Sequence, residues 1–183
     1  MSPQSVPPLV AATIDPTSAI RPENIGDAAA ILALHEAAFG PGRLARAAER
    51  VREMGARNGR GEGHDPALSF TAKRGDAVIG SVRMTPIVIG HVHGHLLGPL
   101  AVREDHKHKG LGGALIAAAH GAAGASGSRF TLLVGDEPYY RRHGFAHIAG
   151  PEMPGPVDPR RLLVRWNAAP TPLDGPVRHA GWG

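Results

Sequence analysis

The stretch that most constrains this chain is LLGPLAVREDHKHKGLGGALIAAAHGAAGASGSRFTLLV, residues 96–134. It opens on an apolar run ending at Val102 and passes through a charged turn. An alanine-rich segment from Gly110 to about Ala123 follows, and the stretch closes on the apolar Phe130–Val134. Strand, helix and strand in that order require a crossover connection, so the two strands are expected side by side and parallel. The apolar run at 130–134 reads as a strand buried on both faces.

The flanking sequence has a different rhythm. Ser18 to Arg21 can open the domain as a short strand. Asn24 can cap a helix in which Ile25, Ala28, Ala29, Leu32, His35 and Ala38-Phe39 recur at helical spacing, broken by Gly40-Pro41-Gly42. A second, basic helix is expected from Arg43 to about Met54, followed by a glycine-rich loop from Asn58 to Asp65. Leu68–Ala72 and Ala77–Ile89 read as a hairpin turning at Arg74-Gly75-Asp76, and His91–Val102 as a further strand. Glu137 to His143 predicts a short helix, and Gly144-Phe145 and Leu162–Trp166 lead into closing strands. The fold class is therefore α+β: a mixed, mostly antiparallel sheet flanked by helices, with one βαβ crossover. A length of 183 residues suits one domain. We place it at 18–167, with a loose proline-rich arm at 1–17 and an irregular Pro/Gly-rich tail at 168–183.

Composition removes several functions. With no cysteine, disulfides, thiolate metal sites and a cysteine nucleophile are excluded, which fits a reducing compartment. No stretch approaches the ~20 apolar residues of a membrane span. The N-terminus lacks the basic start and apolar core of a signal peptide, so a cytoplasmic protein with no membrane partner is expected. The net charge of +4 favours anionic ligands only weakly. His91, His93 and His95, followed by His106 and His108, have spacings that can bind zinc or nickel. Gly90, Gly94 and the lack of an obvious carboxylate ligand favour a solvated hairpin end, and no metal is expected. Arginines between Arg43 and Arg60 are interleaved with Glu49 and Glu53 and have no aromatic partners for base stacking. They read as a solvated helix, not a nucleic-acid surface.

The turn HKHKGLGGAL carries the chemistry. The first N–H groups of the helix after it have no internal partners, and with the helix dipole they form an anion site. Gly110, Gly112 and Gly113 leave no Cβ in the way of a phosphate, while Lys107 and Lys109 add charge at the rim. The same glycines could instead serve close packing of the helix on the sheet. A Walker A loop is disfavoured because no Lys-Ser/Thr pair follows the glycines. A dinucleotide fingerprint fails because position 115 is Leu.

Lys107-His108-Lys109-Gly110-Leu111-Gly112 resembles the acyl-CoA motif [QR]-x-x-G-x-[GA] of the GNAT superfamily of N-acetyltransferases, with Lys at the first position as a departure. LLGPLAV before it and VGDEPYYRRHGF at 134–145 after it are similar to the neighbouring segments of a branch of predicted bacterial acetyltransferases. The likeness covers residues 18–167 in order. It implies acetyl-CoA as co-substrate and a small-molecule or peptide amine as acceptor. It also implies that the backbone N–H near Leu100 faces the reacting carbonyl, whose tetrahedral oxyanion needs positioned donors. Main-chain groups of Ala101 and Val102 would pair with the pantetheine amides, and the diphosphate would sit on His108, Lys109, Gly110, Leu111, Gly112, Gly113 and Ala114, beside Lys107. Tyr140, four residues before Gly144, matches the family's general acid, with Tyr139 as competitor and more suited to the core. For a general base Glu36, Asp136, Glu137, His143 and a water chain stay open. Relatives are commonly dimers, so a homodimer is compatible. A non-catalytic acyl-CoA-binding domain is the alternative function.

Overall fold

A computed structural model of the chain describes residues 18–42, 47–57 and 63–181. The expected arm at 1–17, the start of the basic helix at 43–46 and most of the glycine-rich loop at 58–62 lie outside the described residues. Two hairpins organise the sheet. β1 (Ser18–Pro22) pairs with β2 (Phe70–Arg74), and Gly75-Asp76 turns β2 into β3 (Ala77–Ile89). Gly90-His91 then turns β3 into β4 (Val92–Val102). Gly75 and Gly90 take φ of 58° and 59°, the left-handed conformation that two-residue antiparallel turns require.

Asn24 does act as a cap: its side chain accepts the Gly26 N–H at 2.9 Å and starts a single 3-10 turn, Ile25–Asp27. α1 (Ala28–Phe39) follows, then α2 (Ala47–Arg57). The face of α1 differs in part from the expected one. His35 is buried as expected, but Ile25 is 93% exposed and Leu32 42%, and Ile31 and Leu34 are buried in their place. An alanine-rich helix offers two plausible stripes, and packing on β3 and β4 selects the one carrying Ile31 and Leu34.

The crossover stands as read. α3 (Leu111–Ala125) connects β4 to β5 (Phe130–Val134), which lies parallel to β4. α4 (Glu137–Tyr140) runs into a 3-10 turn, Arg141–His143. β6 (Ala146–His147), β7 (Pro151–Glu152), β8 (Leu162–Trp166) and β9 (Gly175–His179) complete the strands. The sheet order is β1-β2-β3-β4-β5-β8-β6. Both faces are covered, as the apolar β5 demands. Leu97, Leu133 and Leu163 pack with Leu111, Leu115 and Ile116 of α3. Their sequence neighbours Leu96, Leu132 and Leu162 pack with Val51 of α2 in a separate cluster. Leu115 and Ile116 are fully buried, each contributing about 1.5–3 kcal/mol of hydrophobic stabilisation.

The tail at 168–183 is a correction. It is not irregular throughout, because β9 pairs antiparallel with the far end of β3, placing Ile87, Val88 and Ile89 opposite His179, Arg178 and Val177. β2 covers only the first half of β3, and without β9 the buried Ile87 and Ile89 would form an open apolar edge. The tail closes that edge with Val177 and Leu173, both nearly inaccessible. Pro172, Gly175 and Pro176 hide the strand in the sequence, yet proline is tolerated on a short edge strand. Among the described residues no helix is long and apolar enough to cross a membrane.

Candidate active site

The site begins where β4 and β5 part. Their parallel pairing is confined to His95 opposite Thr131 and Leu96 opposite Leu132. Beyond Leu96, β4 keeps β3 on one side through Val102 but no longer pairs with β5 on the other. A register shift against β3 between Val82 and Met84 marks the bend. Gly98 takes a φ of 140°, a conformation open to glycine, and Pro99 has no N–H to offer a neighbour. The gap widens into a cleft of about 1720 Å³ walled by Leu97–Leu100 and Val102 on one strand and by Val134, Gly135 and Asp136 beyond the other.

The glycine turn floors the same cleft. A 3-10 turn at Glu104–His106 leads into His108 at φ 62° and Gly110 at φ 79°. A left-handed non-glycine residue is uncommon, and His is among the side chains that tolerate it. Ala114 donates to the Gly110 carbonyl at 3.1 Å, so the N–H groups of Leu111, Gly112 and Gly113 precede the helical ladder, and no side chain caps them. Such N–H groups, with the helix dipole behind them, can seat an anion. The lysines do less than their position suggests. Lys107 is ion-paired with Glu104, and Lys109 donates to the Asp105 carbonyl at 2.9 Å, tying the loop to itself. The glycines answer two demands at once. A Cβ on Gly112 would lie 2.6 Å from the Tyr139 hydroxyl, and one on Gly113 would lie 2.7 Å from Cε1 of His143.

Tyr139 is therefore not turned into the core away from the cleft: both tyrosines line it, with ring centroids 4.9 Å apart, edge to face. Tyr140 lies deeper, against Gly135 and Phe145. Burial first, and then the neighbouring Tyr139 and Asp136, push its pKa up to about 12. Burial also raises Tyr139, against the opposing pull of Arg142, whose guanidinium sits 5.1 Å above its ring. His143 is shifted down by burial, then by Arg142 and Arg165, which favours the neutral ring.

Of the residues proposed from sequence, Leu100, Val102, Lys107, His108, Gly110, Leu111, Gly112, Gly113, Ala114 and Tyr140 all line this one cleft. Ala101 and Lys109 do not. Ala101 is buried between two wall residues because successive side chains alternate across a strand, and the Lys109 ammonium is turned back to Asp105. Among the base candidates, Asp136 and His143 reach the cleft. Glu36 and Glu137 do not, and Glu137 pairs with Arg141 at 3.0 Å. The sequence reading missed Glu49. It lines the cleft on α2 beside Phe39, Ala47 and Ala48, is only 7% exposed, and binds Arg52 at 2.6 Å. Arg46, Arg50 and Arg52 lie around it in sequence, so only its position in the helix marks it. Among the described residues no cluster of His, Asp and Glu could hold a metal ion.

Comparison with known proteins places this geometry. A family model described as an acetyltransferase (GNAT) domain matches residues 65–147. The uncharacterised N-acetyltransferase YjhQ of Escherichia coli K12 is 31% identical over 127 residues, covering 63% of this chain and 70% of that protein. Among solved structures, the GNAT family N-acetyltransferase YhbS of Escherichia coli, in complex with CoA, matches with a TM-score of 0.73 at 24% identity. That match covers 88% of this chain and 89% of YhbS. A GNAT family acetyltransferase from Brucella melitensis in complex with acetyl-CoA matches at 0.67 and 26% identity, over 90% and 96% of the two chains.

Proposed function

The chain belongs to the GNAT family of acetyltransferases, and we propose that it transfers the acetyl group of acetyl-CoA to a primary amine of a small molecule or protein within a ternary complex. The observation that carries this reading is the continuity of the cleft. The open edge of β4, the glycine turn and Tyr140 share one wall. A ligand with amides, a diphosphate and a reactive thioester matches that order of strand edge, anion seat and acid.

Bound acetyl-CoA supplies an activated acetyl group as its thioester. The chain would bind its diphosphate through the N–H groups of Leu111, Gly112 and Gly113, with Gly110 and Ala114 shaping the seat. Gly112 and Gly113 also let Tyr139 and His143 pack against the turn, where any Cβ would collide with them. The open edge of β4 at Leu100 and Val102 would take the pantetheine amides as a neighbouring strand would, and the Leu100 N–H would polarise the reacting carbonyl. Tyr140, with a pKa of about 12, keeps its proton at any working pH. Full transfer to a thiolate of ordinary thiol basicity, about 8.5, runs uphill. Its role is therefore to hold a hydrogen bond to the leaving sulfur as charge develops there.

Glu49 suits the acceptor. A buried carboxylate between Ala47, Ala48 and Phe39 can hold an ammonium and orient an amine, although Arg52 shares its charge. The test is calorimetric binding of acetyl-CoA together with CoA release against alkylamines, polyamines and lysine peptides. Binding with amine-dependent CoA release is expected. Binding without release from any amine would favour the non-catalytic acyl-CoA-binding alternative, and no binding would end the coenzyme reading.

A further inference from the structure

The turn between β4 and α3 carries a hydrogen-bonded chain that the reaction above leaves unused. Arg103 donates from Nε to Oδ1 of Asp105 and from Nη2 to Oδ2, both at 2.7 Å. Oδ1 of Asp105 also lies 2.7 Å from Nδ1 of His106. The Arg103 hydrogen bond, and then that of His106, hold Asp105 far below the usual carboxylate range, so it is a pure acceptor. The nitrogen that faces it must therefore carry the hydrogen, and Nδ1–H of His106 is fixed as the donor. Nε2 is left as the variable end, a lone pair on the neutral ring and an N–H on the cation.

That end is conspicuous. The His106 side chain is only 8% exposed, and Nε2 is buried without a hydrogen-bond partner among the described residues. A buried polar atom of this kind calls for an explanation. His106 is among the residues that line the cleft, as are Lys107, His108 and Gly110 of the same turn.

We propose that His106 is a further coenzyme ligand: on binding it becomes an imidazolium and donates Nε2–H to the diphosphate. The proposal rests on the acetyl-CoA reading of the cleft. Two anions would then flank the ring, Asp105 at Nδ1 and the diphosphate at Nε2, and both favour the charged form. The other charges in reach are Glu104, Lys107, His108 and Lys109 on its own turn, with Tyr139, Arg142 and His143 from the α4 segment. Lys107 is already paired with Glu104, and among these groups His143 is the partly buried imidazole held toward neutrality. Charging the ring takes up a proton from solution, so the affinity it adds weakens as pH rises.

Dephospho-CoA is the suitable probe, because it keeps the diphosphate and lacks the phosphate monoester that would itself titrate, near pH ~6. Titration calorimetry near neutral pH in two buffers of different ionisation enthalpy should show net proton uptake by the wild type. His106→Gln should lose most of that uptake and bind about ten- to a hundredfold more weakly, the size of one hydrogen bond to a charged group. His143→Gln should keep the uptake. A folded His106→Gln protein that binds as tightly, or takes up as much proton, overturns the proposal. A second readout needs no variant: NMR of the His106 ring must show both ring nitrogens protonated when dephospho-CoA is bound, and a ring that stays neutral overturns the proposal equally. If the wild type binds neither CoA nor dephospho-CoA, the coenzyme reading itself has failed, and this result is distinct from the others.

Discussion

The two ends of the cleft are built on different principles. At the glycine turn the seat proposed for the coenzyme is built mainly of backbone N–H groups, and the lysines are tied up elsewhere, Lys107 with Glu104 and Lys109 with Asp105. At the α2 wall the backbone is locked inside a helix, and a carboxylate held by Arg52, Glu49, sits beside Ala47, Ala48 and Phe39. Backbone sites require glycine at particular places and leave a written trace. Side-chain sites require one residue on the right turn of a helix, and the sequence around it has no reason to show it.

Five substitutions sharpen or break that contrast. The largest effect belongs to Tyr140, which stands between the two ends. Tyr140→Phe should lower kcat by about 10²–10³-fold with acetyl-CoA affinity unchanged, within the range for a positioned acid. Because its pKa is raised to about 12, the donor is lost only above that value, and kcat should show no alkaline fall from this group up to pH ~10. An alkaline limb that disappears in the Phe variant would contradict this. Gly112→Val comes next. Its Cβ meets the Tyr139 hydroxyl at 2.6 Å, and acetyl-CoA should bind about 10–100-fold more weakly by calorimetry, as for a lost contact to a charged group. Gly121→Ala, on the same helix with open space around the new Cβ, should leave affinity unchanged. At the other end, Glu49→Gln should raise the amine KM about tenfold, the value of one charge-assisted contact, while leaving acetyl-CoA affinity alone. An effect on the coenzyme instead would erase the division between the two ends. The smallest change is expected for Lys109→Ala, under about threefold in affinity and smaller still in high salt, as for an exposed cation already engaged with its own loop.

How much could be read beforehand follows the same division. The hairpins were legible because Gly75 and Gly90 mark their turns, and the crossover because an alanine-rich helix lies between two apolar strands. The glycine turn was legible for the same reason. β9 was not, since a five-residue edge strand containing Pro176 has no periodicity to detect and is specified by the uncovered half of β3. The buried stripe of α1 was partly misassigned because its alanines are neutral between faces. The Arg103–Asp105–His106 chain was invisible for a simpler reason. These residues lie within a charged run, REDHKHK, that looks solvated throughout, and only the fold shows that one ring of it is buried.

The parting of β4 from β5 has one more consequence. An unpaired strand edge is ordinarily a hazard, an invitation for other chains to add themselves and aggregate. Here the open edge lies inside the sheet, with β3 behind it, β5 ahead and α3 alongside. A slender molecule with amides can enter the slot, but a second β-sheet cannot lie down in it. The protein can keep an unpaired strand edge because that edge lies within the sheet and not at its border.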